Sequence, residues 1–174
     1  ITSGDLVHLD LDQVYVDLIE FNRLVAQAGP QVWKIPADQP LPEQITKPLT
    51  KAVLLWRSPS FMASADILNT LSMDEWFRLS AEQYEHLLVR ITERLSDHEI
   101  TAGNPETAMH LVEIALVSDP YSEPLLERKL RLLIHLGRPL EAKQQYQAYR
   151  SNLFETTGLA PGAGLQALGE QLDQ

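Results

Sequence analysis

From Asp17 onward, apolar residues recur every three or four positions, the spacing of one helical face. Leu18, Phe21, Leu24, Val25 and Ala28 share such a face, and Gly29-Pro30 ends it. Asp17 with Glu20 three residues on has the form of a capping box. Leu49, Ala52, Val53 and Trp56 predict a second helix over about 48–57, closed by Ser58-Pro59-Ser60. Trp76, Leu79, Gln83, Leu87, Ile91 and Leu95 predict the longest helix, over about 72–102. The next helix carries Ala108, Leu111, Val112, Ala115 and Leu116 and stops near Asp119-Pro120. Ser122 is placed to cap another, with Leu125, Leu126, Leu130, Leu133 and Leu136 inside. A further helix is predicted over about 140–156, and a short last one over 165–172.

Two stretches depart from helical spacing. Residues 1–16 read as extended: Ser3-Gly4 is a turn signal, Leu6-Val7-His8-Leu9 is strand-like, and Val14, Tyr15 and Val16 add β-branched and aromatic character. The chain opens without Met in the middle of this pattern, so we read it as a piece of a longer polypeptide, with residues 1–16 an extended remnant or linker and 17–174 the helical domain. Residues 30–48 hold five prolines (Pro30, Pro36, Pro40, Pro42 and Pro48) and read as a loop packed through Trp33 and Ile35. Residues 61–72 are mixed and fit neither period.

The strongest signal is a repeat. Gly103-Asn104-Pro105-Glu106-Thr107-Ala108 aligns with Gly137-Arg138-Pro139-Leu140-Glu141-Ala142 after a shift of about 34 residues, the period of a tetratricopeptide helical hairpin. Gly ends one helix, Asn104 is placed to cap the next, Pro opens it, and a small Ala lets neighbouring helices approach. The expected fold is all-α: a stack of tetratricopeptide-like hairpins behind a short extended N-terminal segment. Such stacks leave a concave face lined by one helix of each pair, a surface for protein partners.

Charge narrows the partner. The chain of 174 residues carries a formal net charge of −10, which repels phosphate backbones and anionic membrane surfaces. Between residues 120 and 150 the balance reverses, with six Lys/Arg against three Asp/Glu. Arg128, Arg131 and His135 share one helical face, Lys129 lies beside it, and Arg138, Lys143 and Arg150 follow. One reading is a basic groove for an acidic protein segment; the other is a solvated face with ordinary ion pairs. The aromatics Trp33, Tyr146 and Tyr149 are candidate docking anchors if partly exposed, since Trp, Tyr and Arg dominate interface energetics. Tyr146 and Tyr149 lie one turn apart, so at least one is expected to pack inward. The candidate partner-binding residues are therefore Arg128, Arg131, His135, Lys143, Tyr146, Tyr149 and Arg150.

Catalytic and cofactor signatures are absent. There are no cysteines, hence no disulfide, thiolate zinc site or cysteine nucleophile, a composition compatible with the expected cytoplasmic location. No apolar run reaches the roughly 18–20 residues of a membrane-spanning helix. Neither a GxxxxGK[ST] nor a GxGxxG loop occurs, nor HExxH, nor a GxSxG serine. His86 lies near Glu82 and Glu85, and His110 near Glu106 and Glu113, but none of the five histidines pairs with another at metal-ligand spacing. No catalytic, cofactor or metal site is expected.

The order of several pieces resembles the bacterial transcriptional activation domain of SARP-type regulators. They are Ala115-Leu116-Val117-Ser118-Asp119-Pro120-Tyr121-Ser122-Glu123, Leu136-Gly137-Arg138-Pro139-Leu140-Glu141-Ala142, Tyr146-Gln147-Ala148-Tyr149-Arg150 and Thr157-Gly158-Leu159-Ala160-Pro161. Val16-Asp17-Leu18-Ile19-Glu20-Phe21 resembles the start of that domain, and Ala52 to Arg57 its second helix. The resemblance implies a regulatory module of a bacterial transcription activator that supports homodimerisation and contact with RNA polymerase. DNA binding would come from a winged-helix domain outside this chain. The Pro-rich stretch looks longer than in that family, and Ser80-Ala81-Glu82-Gln83-Tyr84 lacks expected arginines. A general tetratricopeptide scaffold, or a ligand-sensing helical domain closed by residues 30–48, are the alternatives.

Overall fold

The computed structural model describes residues 2–3, 6–7, 15–57 and 71–173. Strands β1 (Thr2–Ser3) and β2 (Leu6–Val7) pair with each other antiparallel, Thr2 opposite Val7 and Ser3 opposite Leu6. Leu6 and Val7 of the strand-like run thus pair locally within the chain, and His8 and Leu9 lie outside the described residues. Among the described residues seven α-helices follow: α1 (Asp17–Ala28), α2 (Glu43–Leu54), α3 (Leu71–Thr101), α4 (Pro105–Ser118), α5 (Glu123–His135), α6 (Pro139–Thr157) and α7 (Ala163–Leu172). Val14 and residues 61–70 lie outside the described residues.

Helix α1 buries Phe21, Leu24 and Ala28 as its spacing predicts. The capping box does not form. Val16 occupies the cap position, Asp17 accepts from the Leu18 amide, and Glu20 turns outward to a two-pronged ion pair with Arg23. After Gly29 the chain makes one 3-10 turn, Pro30–Trp33, and runs irregularly to Pro42. Helix α2 starts at Glu43, five residues before the expected start, and Pro48 lies inside it. A proline there forfeits only the bond to the Gln44 carbonyl. Burial of Ile45, Pro48, Leu49, Ala52 and Val53 on one face offsets that loss.

Among the described side chains of α3, the fully buried ones lie in its second half. Leu88, Ile91 and Leu95 are in the core, whereas Trp76 and Leu79, expected on the same stripe, are each 51% exposed. Length explains the difference. α3 has 31 residues and its antiparallel partner α4 has 14, so at about 1.5 Å per residue α4 covers less than half of it.

From α3 onward each helix packs on the next, and α7 lies against both α5 and α6. α1 and α2 form a further layer against α3 and α4. One continuous core runs from Phe21 to Leu168.

The sequence repeat is a repeat of backbone geometry. At the end of α3 the Gly103 amide donates to the Ile100 carbonyl and the Asn104 amide to Glu99. At the end of α5 the Gly137 amide donates to Ile134 and the Arg138 amide to Leu133. Both are Schellman closures, and both need a residue at positive φ, 80° for Gly103 and 73° for Gly137. The next residue starts the following helix at nearly one conformation, φ −113°, ψ 57° for Asn104 and φ −112°, ψ 48° for Arg138, with Pro behind it. The Asn104 side chain does not cap α4; it donates to Glu99 instead. Likewise Ser122 holds the cap position of α5 without a side-chain bond. Ala108 and Ala142, one turn into α4 and α6, have no exposed surface.

Candidate functional site

Helices α3 and α5 are the first members of two successive hairpins and lie side by side. Between them is a hollow of about 440 Å³, lined by Glu93 and Ile100 from α3 and by Pro124, Glu127, Arg128, Arg131, Leu132 and His135 from α5. Arg128, Arg131 and His135, singled out from the sequence as one face, therefore meet here.

The charge of this face is compensated. Arg128 crosses to Asp97 on α3 in an ion pair whose partners are both about three-quarters buried. Arg131 pairs with Glu127 on its own helix at 2.7 Å. Lys129 points away, to Glu113 on α4 at 3.3 Å, and Arg138 is held by Glu141 at 2.7 Å. The excess of cations counted along residues 120–150 is thus spread over several neighbours, and ordinary ion pairs account for it. Arg131 and His135 remain exposed at the rim.

The other four candidates lie elsewhere on α6: Lys143, Tyr146 and Arg150 toward α7, and Tyr149 toward the start of α5. Tyr146 and Tyr149 were expected to offer exposed aromatic surface, with at least one packed inward. Both are buried, at 6% and 8% exposure. For Tyr146 the cause is α7: a β-carbon on Gly169 would overlap the Tyr146 ring, so this helix approaches through a residue without a side chain. The Arg150 guanidinium lies over the Tyr146 ring at 5.9 Å. Lys143 reaches Asp173 at 2.9 Å and, by that hydrogen bond and its charge, holds the Asp173 carboxyl below its usual range. The Tyr149 hydroxyl donates to the Tyr121 carbonyl at 3.3 Å and to Glu123 at 3.5 Å. Burial first, then the Glu123 carboxylate beside it, pushes the Tyr149 phenol up from 10.0 to about 12. Glu123 also accepts the Gly162 amide at 2.8 Å, closing the turn into α7.

A second arrangement on α3 is absent from the sequence reading. The buried Arg94 side chain donates to three backbone carbonyls of the Pro-rich segment, Pro36 at 2.9 Å, Gln39 at 3.4 Å and Ala37 at 3.5 Å. One turn on, His98 Nδ1 accepts the Leu41 amide at 3.0 Å. Arg90 lies over the Trp33 ring at 4.3 Å, and Ile35 packs on the core. The segment expected to pack through Trp33 and Ile35 is pinned along α3 chiefly by Arg94.

Among the described residues no cluster of three His, Asp or Glu side chains is placed to hold a metal ion. No described helix is long and apolar enough to cross a membrane.

The fold has a solved counterpart in Mycobacterium tuberculosis EmbR, in a structure with a low-affinity phosphopeptide. The TM-score is 0.57 and the identity 22%, over 91% of this chain and 40% of that one. This chain therefore corresponds to well under half of that protein's length. No functionally curated protein matches the sequence. Residues 16–172 match the family model described as the bacterial transcriptional activator domain, and the chain belongs to that family.

Proposed function

We propose that this chain is the protein-interaction and regulatory module of a SARP-type transcription regulator, docking RNA polymerase through the face shared by α3 and α5. The observation that carries the reading is the hollow itself. A repeat stack with an open side presents Arg128, Arg131 and His135 together, beside the apolar side chains of Ile100 and Leu132. Residues 17–174 are the helical module. Promoter binding is assigned to a winged-helix domain elsewhere in the polypeptide, because the acidic surface here disfavours DNA. Lys143, Tyr146, Tyr149 and Arg150 support docking by holding α7 in place. Catalysis has no part in the mechanism.

The test is retention of RNA polymerase subunits by the full-length regulator on its promoter DNA. Retention is expected, and should fall when Arg131→Glu and His135→Glu are combined. If no subunit is retained, polymerase docking is wrong. Self-association is the companion reading, supported by the half-exposed Trp76 and Leu79 on the uncovered half of α3. Sedimentation of the wild type against Leu79→Glu reads it, and a wild-type monomer at all concentrations would refute it.

A further inference from the structure

The first half of α3 carries an exposed strip. Trp76, Leu79, Gln83, His86 and Arg90 recur at steps of three and four, so they share one face over about 21 Å of helix. All five are exposed. The side of α3 turned to α1 is occupied instead by Tyr84, which meets the Phe21 ring edge-on and accepts a hydrogen bond from Asn22.

The strip differs in character at its two ends. At its start Trp76 and Leu79 are half-exposed, and Glu75 and Glu82 follow one edge, four residues before Leu79 and His86. At its far end Arg90 lies over the Trp33 ring at 4.3 Å, and His86 stands one turn before it. Neither Glu75 nor Arg90 makes an ion pair among the described residues, so an acidic start and a cationic end are both left uncompensated.

A face with opposite ends of this kind complements itself when a second copy lies antiparallel to it, the arrangement a two-fold axis produces. With Gln83 of both copies on the axis, Trp76 of each copy comes opposite Arg90 of the other. The guanidinium is then enclosed between that ring and its own Trp33. Glu75 and Glu82 come beside Arg90 and His86 of the other copy, and the two Gln83 amides, each both donor and acceptor, are placed to bond to one another. A parallel arrangement would set Arg90 against Arg90 and Glu75 against Glu75, with like charges facing.

We propose that two copies of this chain pair antiparallel through residues 75–90 of α3, with Trp76 of each seated on Arg90 of the other. The proposal rests on the self-association reading and gives it a face, a direction and a register.

The test uses the whole 174-residue chain. Sedimentation of the wild type should show a reversible, concentration-dependent dimer. Arg90→Glu should raise the dissociation constant about tenfold, as loss of two symmetric cation–π contacts does. Glu75→Arg added to the same chain should recover most of that loss, because the exchanged charges face each other across the axis. The chain has no cysteine, so an introduced thiol reports contact between copies. Under mild oxidation Gln83→Cys should form a disulfide-linked dimer. Glu75→Cys should not, because its two copies lie about 24 Å apart along antiparallel helices. All the substituted residues are exposed, and circular dichroism checks that each variant is folded. A wild-type monomer at all concentrations overturns self-association and this proposal together. A dimer that cross-links through Glu75→Cys and not Gln83→Cys, or that Arg90→Glu leaves unchanged, overturns the antiparallel register alone.

Discussion

The two ends of this helical stack solve the same packing problem by different means. From α3 to α7, layers are joined by a repeated backbone solution: a Schellman closure at Gly103 or Gly137, a proline-opened helix, and a buried alanine one turn later. In front of α3, the irregular segment after Pro30 is joined by side chains, with Arg94 and His98 bonding to main-chain atoms at positions 36–41. The first solution needs small residues at fixed places and tolerates variation between them. The second needs one long cation whose donors match carbonyls that helix formation leaves unused. In front of the α3–α4 hairpin lies the layer of α1 and α2, joined by an irregular connection. The proline-rich segment between α1 and α2 fills the space beside Arg94 that no helix covers.

The comparison breaks most sharply at the alanines. Ala108→Leu and Ala142→Leu each insert three heavy atoms where there is no exposed surface. Each should lower stability by about 3 kcal/mol, the upper end for overpacking, and the two losses should be similar because the sites are equivalent. Urea unfolding measures both. A large loss at one site and a negligible loss at the other would show that the geometrical repeat is not an energetic one.

The N-terminal solution is tested by Arg94→Met, which keeps the stem and removes the donors. A loss of about 2 kcal/mol is expected from bonds made by a buried charged group. Hydrogen exchange should localise it: the Leu41 amide loses protection, while the Gly137 and Ala142 amides keep theirs at the shared global limit. Unchanged protection at Leu41 would mean that apolar contacts at Val32 and Leu41, both buried, hold the segment without Arg94.

The contrast also explains what could be read from sequence. Gly103, Pro105 and Ala108 and their counterparts were legible because one backbone geometry demands those residue types, so the family resemblance and the repeat both followed. The start of α2 was not, because a local rule placed Pro48 near a helix start while burial of Ile45 and Leu49 extends the helix before it. Trp76 and Leu79 mark a second limit. Periodicity identifies an apolar face, and the length of the neighbouring helix decides how much of it is covered. Tyr146 marks a third, since its burial depends on Gly169 in a helix closing from farther along the chain. At the candidate site, Arg128, Arg131 and His135 were found by helical spacing. The Arg94 clamp was missed because its partners are main-chain carbonyls, which every sequence possesses.

The smallest expected effect sharpens the comparison at the other end of the stack, where α7 closes the array through Tyr149 and Glu123. Tyr149→Phe removes two long hydrogen bonds, at 3.3 and 3.5 Å, and should cost only about 1 kcal/mol at neutral pH. Its signature lies in alkaline solution. The folded-state phenol is raised from 10.0 to about 12, so the folded protein holds its proton more tightly than the unfolded chain. The stability this contributes is fully present below pH 10 and is lost as pH rises towards the folded value of about 12. The Phe variant has no such proton, and the other tyrosines are common to both proteins. Its stability should therefore fall less steeply than that of the wild type across this window, so that the difference measured at pH 7 shrinks by pH 12. Parallel curves would mean that Tyr149 ionises alike in the folded and unfolded chains. Burial of Tyr149 and the charge of Glu123 would then not be the clasp at this end of the stack.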